Sequence, residues 1–433
     1  MTDSSTSRTP VVDVVPASVE PPRQRSRTAY LSGAETGALA LVLAAGVLRG
    51  WATLSGYFYW DDYLLAGRAA RVGVSADLLL FDHDGHFMPG AMLVTWLVTK
   101  IAPMSYLLPA LLMILAQLAA GAAFYFLLRE IFGRRALTLV PLALFLFTPM
   151  TLPSSIWWSA AVNLLPMQIA GSLLGLAVVR NARTPSRRLV AGATAAYVLG
   201  LLFFEKSVLL LIVAGGLAVL MADPTRPGAV RRAWRRQRAL AVSLTLVTAG
   251  YLAVYKTYLS STHLHVPADP SVLTETYHRG LSDTVGPALL GGPLTWTPTG
   301  WGSAISTPPS WFVWTSLLAL AALVGLTGYL RPRAAPAWLL AAGYVAVDLT
   351  LFAVTRLVGP AGAVVIQSTR YTADAALVIS LALGFALMAP QGADDVSRRP
   401  EVHDWVRAHR PVVSAATALV CGLSLAASTL STA

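Results

Sequence analysis

Apolar runs of about 20 residues, separated by short arginine clusters, recur along nearly the whole of this chain. A helix of that length reaches across the hydrocarbon core of a bilayer, about 30 Å. No soluble core of 433 residues needs so many such runs. Only 12% of the residues are charged, against roughly 25% in soluble domains. The chain is therefore read as an all-α polytopic membrane protein. Its hydropathy predicts eleven spans, near 33–55, 105–128, 136–153, 163–180, 188–204, 207–222, 239–259, 311–330, 336–357, 372–389 and 412–430.

The charge pattern sets the expected topology. A net charge of +11 does not point to nucleic acid here, because the basic residues fall in short clusters between apolar runs. Those clusters are Arg129/Arg134/Arg135, Arg180/Arg183/Arg187/Arg188, the run Arg226–Arg238, Arg331/Arg333 and Arg398/Arg399/Arg407/Arg410. With the N-terminal tail they hold 23 of the 32 Lys and Arg residues. They are expected to face the cytoplasm of a multi-pass plasma-membrane protein. Residues 1–32 lack an apolar run and read as a disordered cytoplasmic tail, not a signal peptide. Residues 33–433 read as a single transmembrane domain, with outer loops at 56–104 and 260–310. The second of these loops is long enough to serve as a lid. Cys421 is the sole cysteine, so no internal disulfide forms.

Residues 87–102 are apolar but short, and open with Pro89-Gly90. A full span here would carry Arg134, Arg135 and the Arg231–Arg236 cluster to the outer side. The segment is therefore expected to lie in the interface or to dip in and back.

With this parity the unusual polar residues gather on the outer face. Asp61 and Asp62 follow the aromatic run Tyr57-Phe58-Tyr59-Trp60, and Asp82, His83, Asp84 and His86 come about twenty residues later. Trp157, Trp158, Ser159 and Asn163 lie in the second outer loop. Glu205 and Lys206 form a turn between two apolar runs, and Arg370-Tyr371 opens a late span, with Asp374 one turn further in. Asp348 and Glu35 read as packing or pairing groups inside their spans. Charges beside or within a membrane are costly and are kept mostly for function or pairing. One chemistry uses this whole set. A carboxylate takes a proton from an acceptor hydroxyl. Cations hold a departing phosphate. Aromatic rings stack on a sugar. The two histidines beside aspartates are also a weak metal signal, with Asp61, Asp62 and His86 as candidate ligands of a divalent cation such as Mg or Mn.

Three short motifs carry a family resemblance: Trp60-Asp61-Asp62-Tyr63 after the first span, Phe204-Glu205-Lys206-Ser207, and Ser368-Thr369-Arg370-Tyr371. Together they resemble the GT-C glycosyltransferases. That integral-membrane class includes protein O-mannosyltransferases, aminoarabinose transferases and arabinofuranosyltransferases. The resemblance covers roughly residues 33–390, with the order of Glu205 and Lys206 reversed and no large C-terminal soluble domain. It implies sugar transfer from a polyprenyl-phosphate donor to an extracytoplasmic glycan, lipid or protein acceptor, with inversion. Asp61 or Asp62 would then be the base, and Lys206 and Arg370 the phosphate contacts. Asp84, His86, Trp158, Asn163, Glu205 and Tyr371 would be further substrate contacts. Two other classes stay open: a transporter or flippase of lipid-linked glycans, and a polysaccharide polymerase or ligase of another fold relying on His278 or Arg279.

Overall fold

The computed structural model describes residues 32–258, 269–300, 302–356 and 362–393, with scattered positions among 401–428. The expected tail lies outside the described residues except for Ser32. So does the expected last span, 412–430, except for residues 422 and 426–428.

Ser32 starts the first helix, α1 (Gly33–Leu54), with a capping box in which the Ser32 N–H donates to the Glu35 carboxylate at 2.9 Å. Three short helices follow: α2 (Asp61–Arg71), α3 (Ala76–Leu79) and α4 (Pro89–Ile101). Next come α5 (Leu107–Phe132), α6 (Leu139–Phe147), α7 (Pro153–Ile156) and α8 (Trp158–Arg183). The chain continues through α9 (Arg187–Phe203), α10 (Leu210–Met221) and α11 (Ala229–Tyr258). A connecting region holds α12 (Pro270–Arg279), a π-helical turn and α13 (Gly286–Leu289). It then forms an antiparallel hairpin of β1 (Trp296–Thr299) and β2 (Gly302–Ser306). The described bundle closes with α14 (Ser310–Leu330), α15 (Ala334–Arg356) and α16 (Ala375–Leu387).

Among the described residues, six helices are long and apolar enough to cross a membrane: α1, α5, α8, α11, α14 and α15. The fold is thus an all-α membrane protein. The run expected as a span at 188–204 forms α9, of the same 17 residues in length, whereas those at 136–153, 207–222 and 372–389 form shorter helices, α6, α10 and α16, of 9, 12 and 13 residues. Local chemistry shortens them. Pro149 and Pro153 break the run at 136–153. A 3-10 turn at Glu205–Leu209 separates α9 from α10, and another at Thr369–Tyr371 precedes α16. The segment 87–102 forms α4, whose 13 residues cover about 20 Å. That is less than the thickness of a hydrocarbon core. Its Ala91, Met92, Thr95 and Val98 are buried, while Leu93, Leu97 and Ile101 are exposed.

The core runs along α8 and α16, which are buried on most sides. Small residues let the helices approach closely. A Cβ on Gly171 would meet Leu210 at 2.9 Å, and one on Gly384 would meet the Phe132 ring at 2.8 Å.

Helix direction gives the bundle two chemically distinct ends. One is rich in arginine. There Glu35 pairs with Arg129 and Arg134 at 3.0 and 3.2 Å, and Glu130 with Arg180 and Arg183 at 3.0 and 2.8 Å. The opposite end gathers the loop before α2, the start of α8, the Glu205–Lys206 turn and the C-terminus of α15. Near that end Arg49 is buried on α1 and donates to Ser155 Oγ (2.6 Å), the Thr148 carbonyl (2.8 Å) and Thr151 Oγ1 (3.0 Å). It ties α1 to the bend before α8. Arg49→Met removes all three of these buried, charge-assisted hydrogen bonds. A cost of about 2 kcal/mol or more is expected, read as a melting midpoint in detergent several degrees below wild type. An unchanged midpoint contradicts this role.

Candidate functional site

The site begins where α1 ends. Trp60 holds a left-handed backbone, φ 44°, as the chain turns into α2. Asp62 fixes that turn. Its Oδ2 accepts the Tyr59 N–H at 3.0 Å and its Oδ1 accepts the Ser159 N–H at 2.8 Å. The Trp157 indole donates to the Tyr59 carbonyl at 3.1 Å. Asp62 therefore joins the first loop to the start of α8, and it is only 1% exposed. Burial pushes its carboxyl up to about 6, against two amide bonds that pull it down.

Asp61 is different. Its side chain is 22% exposed and faces His83 Nε2 at 3.8 Å. Burial raises its carboxyl, but His83, Arg370 and His86 lower it by more, so it sits below the ordinary aspartate value. At neutral pH Asp61 is an ionised, accessible base. The adjacent aspartates thus divide the work, one accessible and one locked into the backbone.

His83 and His86 flank a tight turn in which Asp84 and Gly85 both have positive φ, 51° and 81°. Asp-Gly at such a pair is the type I′ hairpin signal. Asp82 Oδ1 accepts the Gly85 N–H at 2.8 Å. Asp84 itself is exposed at the tip, while its carbonyl accepts from Arg356 at 2.8 Å. Arg356 also donates to His86 Nε2 at 2.6 Å, since a guanidinium can only donate. The imidazole proton then sits on Nδ1 and is donated to Glu205 Oε1 at 2.7 Å. Burial lowers the His86 value, which matches this neutral tautomer. Burial raises Glu205, and His86 and Arg356 more than offset it.

Lys206 points the other way, into the bundle. Its Nζ lies 2.5 Å from Asp348 Oδ1 and 2.6 Å from Asp374 Oδ1, and donates to the Tyr371 carbonyl at 2.8 Å. Tyr344 donates to the second oxygen of Asp374 at 2.7 Å. Two carboxylates already compensate this ammonium, so it has no spare charge for a substrate phosphate. Asp348, expected as a pairing group, is one of the two.

Arg370 keeps its charge for other use. Its guanidinium stacks over Trp157 at 4.7 Å and over Tyr371 at 4.8 Å, and donates to the Tyr371 hydroxyl at 2.8 Å. Its Nε is buried with no hydrogen-bond partner among the described residues. The Trp pair splits across the start of α8. Trp157 faces Arg370 and Tyr59, whereas Trp158 packs with Leu65, Met92 and Leu165 in a satellite core. Asn163 is buried on α8, and its Oδ1 has no partner among the described residues.

Asp61, Asp62, His86, Glu205, Arg370 and Tyr371 thus meet at one end, with Lys206 just beneath. Trp158 belongs to the packing and Asp84 to a turn tip. Arg356 was not legible in the sequence, where it is one cation at the end of an apolar run. As arranged, Asp61, Asp62 and His86 do not form a metal-ligand set. Asp62 is spent on amides, and the His86 Nε2 lone pair is taken by Arg356. No group of three His, Cys, Asp or Glu suited to a metal ion occurs among the described residues.

No protein-family model, curated protein or solved structure matches this chain.

Asp62 gives a pH prediction. Its value rises from 3.8 unfolded to about 6 folded, so the folded state holds the proton more tightly. The stability it contributes is complete below about pH 4 and is lost as pH rises through 6, to a total of about 3 kcal/mol. Asp61 and Glu205, held low, act with the opposite sign, so a comparison with Asp62→Asn isolates the effect. The difference in melting midpoint, wild type minus Asp62→Asn, is expected to shrink from pH 4 to pH 7. A flat or growing difference contradicts the assignment.

Proposed function

We propose that this protein is an integral-membrane glycosyltransferase of GT-C type. It moves a sugar from a polyprenyl-phosphate donor to a hydroxyl of an extracytoplasmic glycan, lipid or protein acceptor. One observation carries the reading. An ionised, accessible carboxylate, Asp61, lies within electrostatic reach of Arg370 at one end of an apolar helical bundle.

In this reaction Asp61 takes the proton of the acceptor hydroxyl. The acceptor oxygen forms a bond to the anomeric carbon from the face opposite the phosphate. The carbon–oxygen bond to the phosphate breaks, and polyprenyl phosphate leaves with the electron pair. Inversion follows from that single displacement. Arg370 holds the developing phosphate charge, with an unpartnered Nε and an aromatic bed beneath it. Lys206, the other expected phosphate contact, is replaced in this role because Asp348 and Asp374 neutralise it. Arg356 sets the His86–Glu205 pair and fixes the loop that carries His83 against Asp61. Tyr59, exposed beside Trp157, offers a ring face to the sugar.

The orientation follows the arginine clusters. The arginine end faces the cytoplasm of a plasma-membrane protein, and the Asp61 end faces out toward a cell-envelope acceptor. The interfacial helices α2 and α4 sit at that outer surface.

A specific observation favours a second reading, transport of a lipid-linked glycan. Lys206, Asp348, Asp374 and Tyr344 form a buried ionisable cluster between helices, the kind of group that relays protons in transporters. Flux in proteoliposomes without any glycosidic product supports that alternative.

Purified protein given polyprenyl-phosphate sugars and candidate acceptors is expected to form product. Asp61→Asn should lower the rate by about 10²–10⁴, while Arg370→Gln should mainly weaken transition-state charge stabilisation and lower kcat. Normal turnover by Asp61→Asn contradicts its role as base.

A further inference from the structure

A second feature lies at the arginine end, apart from the site above. A cavity of about 410 Å³ opens between the ends of α8, α10, α14 and α16 and the first turns of α11. Its size falls within the range of small-molecule pockets. Its wall carries Arg183, Arg226, Arg236, Arg331 and Arg333, against one described carboxylate, Asp223. Its floor is apolar, with Met221, Phe385 and Met388.

These arginines converge on one concave space. Arg226 Nε and Arg333 Nη2 each lie 3.1 Å from the same Asp223 oxygen. Asp223 also accepts from the Thr225 hydroxyl at 2.6 Å and holds a left-handed backbone, φ 61°. Burial raises its carboxyl, while Thr225, Arg333 and Arg226 lower it by more, so it stays ionised. Arg236 Nη1 donates to the Ala182 carbonyl at 2.6 Å, which fixes its guanidinium at the wall. A guanidinium carries five N–H donors. The described contacts of Arg226, Arg236 and Arg333 each engage one nitrogen. The Arg333 side chain is only 14% exposed, so its charge is partly withdrawn from water. Arg183 is already paired with Glu130 at 2.8 Å. Among the described groups Arg226, Arg236 and Arg333 face the single Asp223 carboxylate, and this excess of two unit charges around a partly enclosed space calls for an anion. Planar guanidinium forks match phosphate oxygens, and the apolar floor matches the glycerol and upper acyl region of a lipid.

We propose that this cavity binds a phosphate-bearing anion, held by Arg226, Arg236 and Arg333. The phosphate can belong to an anionic phospholipid headgroup or to a soluble phosphate compound. Neither assignment depends on glycosyl transfer at the opposite end.

The test uses the full chain in phosphatidylcholine nanodiscs. It is titrated separately with short-chain phosphatidylglycerol, inorganic pyrophosphate and, as a neutral control, short-chain phosphatidylcholine. Bound molecules are counted by native mass spectrometry, with the melting midpoint as a second readout. Saturable phosphatidylglycerol binding that pyrophosphate does not displace identifies a lipid site. Saturable pyrophosphate binding identifies a soluble ligand. In either case Arg226→Gln with Arg236→Gln should weaken binding about tenfold or more. Arg187→Gln with Arg188→Gln, exposed on α9 outside the cavity, should leave it unchanged. Arg226 is 71% exposed, so Arg226→Gln alone keeps the fold and should still show a measurable loss. No saturable binding of either phosphate compound overturns the proposal. So does binding that is insensitive to Arg226 and Arg236, or equally sensitive to Arg187 and Arg188.

Discussion

The turn at Glu205–Lys206 joins the parts of the chain that make the site. Two adjacent side chains of opposite charge point in opposite directions from a 3-10 turn between α9 and α10. Glu205 reaches the first loop through His86, and His86 reaches the end of α15 through Arg356. Lys206 reaches α15 again at Asp348 and the start of α16 at Asp374. Segments separated by up to about 290 positions are held by this one polar node. A bilayer makes that economical, because buried charges must pair and each pairing fixes a helix.

Around this node the charges divide into two kinds. Lys206, Asp374, Asp62 and Arg49 are engaged by protein groups and, with Asp348 ion-paired to Lys206, serve the architecture. Asp61 and Arg370 are less fully engaged and face the same region. Function is read from the second kind. A locked carboxylate cannot give its lone pairs to a substrate without losing its backbone bonds, whereas Asp61 can. The arginine end shows the same distinction. Glu35 and Glu130 each absorb two arginines, while around Asp223 the guanidinium groups outnumber the described carboxylate.

Much of this was legible before any coordinates. The apolar runs and arginine clusters gave a membrane bundle with a polar end, and the motifs at Asp61, Glu205 and Arg370 do meet there. Hydropathy overstates the helix in the 136–153 run, because it averages across Pro149 without registering that a proline stops a helix, whereas the break at Glu205–Lys206 is legible as a polar turn between two apolar runs. Asp61 and Asp62 were equivalent in sequence. The Tyr59 amide and the Ser159 amide, the latter 97 positions away, separate their roles. The loop parity places Lys206 in a turn on the outer face. Its two partners lie inside later helices, and no local pattern links them. Arg356 carried no signal beyond being a cation at a helix end. Asp84, by contrast, carries a local signal of its place, an Asp-Gly pair suited to a tight turn, although in sequence it reads as a substrate contact.

The convergence of these segments on Lys206 is the claim on which the rest stands. A double-mutant cycle on Lys206→Met and Asp374→Asn, read as unfolding free energies in detergent, measures it directly. Coupling of about 1–3 kcal/mol is expected, with the double variant more stable than the sum of the single losses predicts. Strictly additive losses would mean that α10 and α16 do not meet through this pair, and the site as described would not exist.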